Sequence, residues 1–154
     1  MRCRLWAATT LFVLLAATGP AIADIAAATS AYDRGYYATA FREWHSLAKA
    51  GDTAAQVAVA GLYRDESGRE LDLTKAAHWY KIAAHAGDAV AQMNLGKMFE
   101  HGLGIKRDAI AAFVWYHRAT VQSRDWAAEQ RDRLIKHMTP RELTAAHQRL
   151  SKSR

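Results

Sequence analysis

The chain has 154 residues, a formal net charge of +6 and a single cysteine. One cysteine excludes a disulfide framework and a cysteine-ligated metal site, and the length suffices for one domain with a packed core.

The positive charge is uneven, because residues 123–154 hold eight Lys or Arg against four Asp or Glu, whereas residues 24–122 hold eleven of each. A basic end can favour nucleic acid, anionic lipid or an acidic protein. Basic and aromatic residues do not interleave as in base-stacking proteins, so no nucleic acid is expected as a partner.

Residues 1–23 have the pattern of a secretory signal peptide. Arg2 and Arg4 form a basic n-region, an apolar stretch too short for a comfortable membrane span follows, and Ala21-Ile22-Ala23 is a small-x-small cleavage signature. We predict cleavage after Ala23, which removes the only cysteine and lowers the net charge from +6 to +4. The mature chain is then exported, to the periplasm if the host is Gram-negative or otherwise secreted. An uncleaved anchor is the alternative.

A pattern of residues recurs at a displacement of 36 positions between residues 51 and 122. The recurring pairs are Gly51-Asp52 with Gly87-Asp88, Ala55-Gln56 with Ala91-Gln92, Tyr63 with Phe99, Gly68 with Gly104, Asp72 with Asp108, Ala76 with Ala112, and Trp79-Tyr80 with Trp115-Tyr116. A fixed period of roughly 20 to 50 residues is typical of repeat arrays, in which each unit buries its apolar face only against its neighbours. The sequence therefore predicts a repeat protein.

Each copy of the pattern is predicted to form two helices. Apolar residues at helical spacing define the second helix between Leu73 and Ala84, and again between Ala109 and Ala119. The same interval leads back to an older copy of this helix between residues 37 and 48. The helix ends recur as well, because four aspartates are placed as N-caps and two glycines suit the left-handed residue after a helix: Asp52, Asp72, Asp88, Asp108, Gly51 and Gly87.

The repeated residues resemble a known motif. The residues that carry the resemblance are Ala91-Gln92, Leu95-Gly96, Phe99, Gly102-x-Gly104, Asp108, Ala112, Trp115-Tyr116 and Ala119. This run is similar to the Sel-one-like repeat, a relative of the tetratricopeptide repeat with a longer loop between its helices, and the copy from Ala55 to Gly87 also fits. The resemblance implies an all-α fold, an α/α superhelical repeat solenoid of stacked helical hairpins, and a role as an adaptor that assembles or inhibits other proteins.

The pattern weakens on both sides of the two repeats. Before them, the spacing predicts a hairpin with the tight turn of an ordinary tetratricopeptide unit around Asp33-Arg34-Gly35. After them, Thr139-Pro140-Arg141-Glu142 is a capping box with proline at the first helical position, which starts a final helix. The predicted units are a signal peptide (1–23), a partial tetratricopeptide-like hairpin (24–51), two Sel-one-like repeats (52–87 and 88–123) and a pair of capping helices (124–154).

The sequence offers no arrangement of residues typical of catalysis. The seven histidines lack the i, i+4 spacing that places two imidazoles on one metal, and none belongs to a triad. His45 and His117 occupy nearly equivalent repeat positions, which favours a role in the repeat surface. The regular aspartates are accounted for as caps, and no nucleophile has a base beside it. We therefore predict a non-enzymatic chain with no catalytic, metal or cofactor site.

The recurring aromatic residues are predicted to pack in the core. As a set they could form a ladder on which a ligand stacks, but they recur within the apolar stripe of the second helices, which favours packing. These residues are Trp44, Trp79, Tyr80, Trp115 and Tyr116.

The inner face of the array, lined mainly by the first helices, is predicted to bind a peptide or a protein helix. The candidate partner-binding residues are Gln56, Arg64, Gln92, Lys97 and Glu100, which lie outside the apolar stripe, together with Trp126.

The leading hypothesis is a protein or peptide partner in the cell envelope. One alternative is a glycan-binding or hydrolytic cell-wall protein, and another is a peripheral membrane protein held by the basic C-terminus. So short an array is also compatible with dimerisation through an exposed end.

Overall fold

The computed structural model describes residues 19–65, 71–122 and 124–152. Over these residues the chain forms eight α-helices and no strand, which confirms the all-α prediction. Residues 1–18 of the predicted signal peptide lie outside the described residues, and the predicted cleavage point after Ala23 falls within the first helix. The helices are α1 (Gly19–Asp33), α2 (Tyr37–Lys49), α3 (Thr53–Arg64), α4 (Leu73–His85), α5 (Ala89–His101), α6 (Ala109–Ala119), α7 (Arg124–Ile135) and α8 (Pro140–Ser151).

The helices stack in series as hairpins. Each helix from α1 to α6 packs against the next one in the chain, and α8 packs against α6. The pairs α1–α2, α3–α4 and α5–α6 are therefore three hairpins, each with a first and a second helix. Helices α7 and α8 both pack on α6 and cover the end of the array. The predicted solenoid of stacked hairpins with a C-terminal capping pair is confirmed.

Large aromatic side chains and small alanines together fill the core. Tyr80 and Tyr116 are 2% and 0% exposed, and Trp44 and Trp115 are 6% and 8% exposed. Alanines on the facing helices allow close approach, as in densely packed interiors. The predicted packing role of these four aromatic residues is confirmed, while Trp79 is partly buried against the same cluster.

Side-chain caps fix where the helices begin. The four predicted aspartates each accept a hydrogen bond at 2.7 to 2.9 Å from the backbone N–H three residues further on. Thr139 and Glu142 form the predicted capping box at the start of α8. Because each such cap satisfies a backbone donor that the helix leaves unpaired, the repeat sequence sets the same helix start in successive hairpins.

Two glycines allow the second repeat to pack closely. A Cβ atom on Gly96 would lie 2.7 Å from the ring of Tyr116, so this glycine lets α6 approach α5. Gly104 has a φ of +65°, and a Cβ atom there would lie 2.1 Å from the carbonyl oxygen of Leu73. The loop after α5 therefore rests directly on the start of α4, and a side chain at this position would push the two hairpins apart.

Candidate partner-binding surface

Gln56 and Gln92 do not belong to an exposed face. They are 5% and 7% exposed, and the Nε2 atom of each donates a 3.2 Å hydrogen bond to a carbonyl near the end of the preceding second helix, Ala48 and Ala84 respectively. The expectation that these two residues lie outside the packed surface is wrong. On the first helix these glutamines face the preceding hairpin, where a carbonyl in the last turn of a helix accepts their hydrogen bond. They hold successive hairpins together.

Arg64 and Glu100 occupy equivalent positions 36 residues apart and contact the tyrosine of their own hairpin. The guanidinium of Arg64 lies 5.9 Å from the centre of the Tyr80 ring. The hydroxyl of Tyr116 donates a 2.6 Å hydrogen bond to the Glu100 carboxylate. Both residues are thus tied to the second helix of their hairpin, and Glu100 keeps only 13% of its side chain exposed.

Arg64 also joins two hairpins. Its Nη1 atom donates a 2.8 Å hydrogen bond to Oδ1 of Asn94 on α5, and its other nitrogens pair with Asp65. Asn94 was absent from the predicted set. It is 9% exposed and donates its own amide to the carbonyl of Val90. The polar residues of the first helices therefore serve mostly to join neighbouring helices, and they leave little free for a partner.

Burial keeps the two core tyrosines protonated. Desolvation raises the pKa of Tyr80 to about 12, against the opposing charge of Arg64. Desolvation raises the pKa of Tyr116 still further above its ordinary value, and the hydrogen bond to Glu100 acts in the same direction. A neutral phenol at physiological pH is neither a base nor a nucleophile, and the hydroxyl of Tyr116 acts as a structural donor to Glu100.

Lys97 and Trp126, both of the predicted set, contact each other between two helices. The Nζ atom of Lys97 lies 4.7 Å from the centre of the Trp126 ring, which connects α5 to α7. Trp126 is 38% exposed, and Val90 is 48% exposed two turns before Lys97 on the same side of α5. Met93 lies between Val90 and Lys97 at helical spacing and is half-buried. We call Val90, Met93, Lys97 and Trp126 the Lys97–Trp126 surface.

Histidines pack on aromatic rings along the second helices. His45 stacks on Phe41 with the ring centres 5.1 Å apart, and His117 stacks on Phe113 in the same way at 6.1 Å. His85 meets the edge of Trp115 at 5.0 Å. Across residues 19–65, 71–122 and 124–152, no three side chains of histidine, cysteine, aspartate or glutamate come together as a metal site would require.

A cavity of about 490 Å³ lies beside the loop between α5 and α6. Three of its four charged side chains, all except Lys106, are already engaged. Glu142 accepts the hydrogen bonds of the capping box, Asp108 caps α6, and Arg107 donates to the carbonyl of Glu100. The cavity thus brings no free acid and base together.

Neighbouring groups neutralise part of the basic C-terminal segment. Arg131 pairs with Asp132 at 2.7 Å, and Arg149 lies 3.7 Å from the carboxylate of Asp108.

Among the helices of the described ranges, none combines the length and the apolar composition that crossing a bilayer requires. Contact of the basic C-terminal segment with a membrane surface, and dimerisation through an exposed end of the array, remain predictions.

Comparison with known proteins identifies the repeats. The Sel1 repeat family matches residues 53–88 and 89–120. The chain contains two Sel1 repeats. The resemblance inferred from the 36-residue pattern is thereby confirmed, and a search of curated protein sequences finds no significant match.

Two solved structures are similar to this chain over most of its length. One is c5321 of Escherichia coli, described as a protective antigen of uropathogenic strains with an SLR fold, at a TM-score of 0.81 and 25% identity over 87% of this chain. The match spans only 30% of that protein's length. The other is a Sel1 repeat protein from Oxalobacter formigenes, at a TM-score of 0.67 and 28% identity, covering 74% of this chain and 89% of that one.

Proposed function

We propose that this Sel1 repeat protein is an exported, non-enzymatic scaffold that binds a protein or peptide partner in the cell envelope. Sel1 repeat proteins are generally protein–protein interaction scaffolds, and this supports the scaffold role. The signal-peptide pattern of residues 1–23 supports export. The description of the similar E. coli protein as a protective antigen is in keeping with export.

The Lys97–Trp126 surface is the single observation that carries the proposed binding role. It combines an exposed aliphatic side chain and an ammonium group on α5 with a partly exposed indole on α7. Tryptophan is enriched at the energetic centres of protein interfaces, because it buries much apolar area with few rotatable bonds. A partner helix or extended segment that covers Val90 and Trp126 would gain roughly 1.5 to 3 kcal/mol for each apolar side chain that becomes fully buried.

Affinity capture from the envelope fraction of the host tests this proposal. The mature chain is compared with a Lys97→Glu, Trp126→Ala double variant and with a Tyr36→Ala control, which removes a 63% exposed aromatic residue at the other end of the array. The double variant should lose the captured protein, and the control should retain it. Equal recovery by all three chains, with unchanged circular dichroism, would contradict the proposed surface. Retention on purified cell wall in place of protein capture would favour the glycan-binding alternative.

A further inference from the structure

A small basic depression lies on the second helices, away from the Lys97–Trp126 surface. His85 of α4, Arg118 of α6 and Arg149 of α8 line it together with the edge of Trp115. Its volume is about 170 Å³, which equals the share of roughly five or six water molecules in the liquid. The depression therefore has room for one small polar group delivered by a side chain or a chain end.

A tryptophan ring supports Arg118, which has no acidic partner among the described residues. Its Cζ atom lies 4.9 Å from the centre of the Trp115 ring, so the ring supports the guanidinium through a cation–π contact. No carboxylate within the described ranges forms an ion pair with it. Since stacking on a ring occupies the face of a guanidinium and leaves its N–H edge available, Arg118 can still donate to an anion.

Arg149 is only loosely paired. Its Nη1 atom lies 3.7 Å from Oδ2 of Asp108, beyond hydrogen-bond distance, and the other oxygen of Asp108 accepts the cap bond from Ala111. The Arg149 side chain is 58% exposed. The Arg149 guanidinium is thus only weakly neutralised, and the depression that it lines with Arg118 keeps an excess of positive charge.

The orientation of His85 completes the lining. Its Nδ1 atom lies 2.7 Å from the carbonyl oxygen of Lys81, and because a carbonyl only accepts, this nitrogen carries the proton. The Nε2 atom is then the second polar position of the ring.

A second, more apolar depression adjoins the basic one. It follows α4, is lined by His78, Lys81, Ile82 and His85, and measures about 450 Å³. Ile82, one of its lining residues, is 38% exposed. Because both depressions contain His85, a single ligand can reach across the imidazole from the guanidinium groups to Ile82.

We propose that these two depressions together bind an acidic peptide segment of a partner protein. A carboxylate lies between Arg118 and Arg149, where paired N–H donors match its two oxygens. A neighbouring apolar side chain of the same segment covers Ile82. This acidic-peptide site uses no residue of the Lys97–Trp126 surface, so it adds a second contact to the proposed scaffold and does not depend on the first.

The test is an NMR titration of the mature chain with defined peptides. The probe is an acetylated and amidated hexapeptide of alternating Glu and Leu, the matched control peptide has Gln in place of Glu, and inorganic phosphate serves as a free anion. The Trp115 indole N–H reports on the site. Arg118→Gln and Arg149→Gln should each weaken binding of the acidic peptide about tenfold, the loss expected for a charge-assisted hydrogen bond. Ile82→Ser should weaken it by a smaller factor.

Arg42→Gln is the control substitution, because Arg42 is 73% exposed on α2 and pairs with Glu43. It should leave the affinity within about twofold. Equal weakening by Arg42→Gln, equal binding of the Gln peptide, or no binding would overturn the proposal. Phosphate that shifts the indole signal while the acidic peptide does not would also overturn it, by indicating a site for free anions. The Lys97→Glu, Trp126→Ala variant should bind the peptide normally, which separates this site from the proposed function.

Discussion

The ammonium group of Lys97 lies 4.7 Å from the centre of the Trp126 ring and connects the second Sel1 repeat to the C-terminal helices. At a partly exposed site such a contact contributes about 0.5 to 1 kcal/mol. It is therefore too weak to be the main reason that α7 packs where it does. Its more important effect is to orient the indole while 38% of it stays exposed, which presents an aromatic side chain to a partner at little further entropic cost.

Tyr116 should be the most sensitive core position that carries a polar group. Tyr116→Ala should lower the free energy of unfolding by about 3 to 5 kcal/mol, because it leaves a cavity between α5 and α6. Tyr116→Phe should lower it by about 1 to 3 kcal/mol, because the mostly buried Glu100 carboxylate loses its donor. Urea denaturation followed by circular dichroism measures both values. An unchanged midpoint for the Ala variant would show that this ring is not part of the core.

Alkaline pH should destabilise the fold through its buried tyrosines. The folded chain retains the Tyr80 proton up to a pKa of about 12, whereas the unfolded chain releases it near the ordinary value of 10.0. The folded state thus binds more protons than the unfolded state between these pH values. Its stabilisation is complete below about pH 10. As the pH rises, the free energy of unfolding falls by at most about 1.4 kcal/mol per pH unit for each such group.

The Tyr80→Phe variant provides the comparison for this pH dependence. Urea midpoints measured from about pH 9 to pH 12 should fall less steeply for the variant than for the wild type, since the phenyl ring has no proton to lose. Tyr116 still titrates in both chains and contributes the remaining slope. Parallel curves for the two chains would contradict the assignment of the alkaline loss to Tyr80.

Gly104 should tolerate substitution less well than another glycine of positive φ. Gly104→Ala and Gly35→Ala both force alanine into a left-handed conformation, which costs roughly 1 to 2 kcal/mol. Only Gly104 faces backbone atoms, those of Leu73, while nothing lies within 4 Å of a Cβ atom at Gly35. The Gly104 variant should lose about 1 to 3 kcal/mol more than the Gly35 variant. Thermal unfolding of the two variants measures this difference in stability. Equal losses would mean that the loop does not rest on α4.

Gln92 should matter for stability and not for partner binding. Gln92→Ala removes the hydrogen bond to Ala84 between hairpins, and the free energy of unfolding should fall by about 1 to 3 kcal/mol. The same variant should capture as much partner as the wild type below its melting temperature. Lys97→Glu should show the reverse behaviour. If Gln92→Ala abolishes capture while the fold remains intact, the buried glutamine has a role in recognition after all.

The repeat pattern predicts most of the architecture, because the features that it repeats act locally. Asp72 and Asp108 each cap the helix that follows them, and the recurring apolar stripe determines which side of that helix is buried. Caps and stripes need only a few neighbouring residues, so one sequence suffices to recognise them. The hairpins and their order follow from these features.

The candidate site was harder to predict, because its contacts lie between hairpins. Gln56 and Gln92 are polar residues at helical positions beside the apolar stripe, and only stacking on the preceding hairpin gives them a buried acceptor. Val90 was missed, although one signal was present in the sequence: it lies 36 residues before Trp126, so the repeat period itself places the two at equivalent positions. The packing of Lys97 on Trp126 depends on how α7 docks, which the fading pattern after residue 122 does not determine.

The proposed interaction surface is tested most directly by photo-crosslinking in the host cell. A photoreactive phenylalanine derivative replaces Trp126 in one chain and the exposed Tyr36 in another. Irradiation of living cells should join the chain labelled at position 126 to one envelope protein, and a Lys97→Glu substitution in the same chain should reduce that product. The chain labelled at position 36 should give no such product. Crosslinks of equal yield from both positions, or none from position 126, would contradict the account.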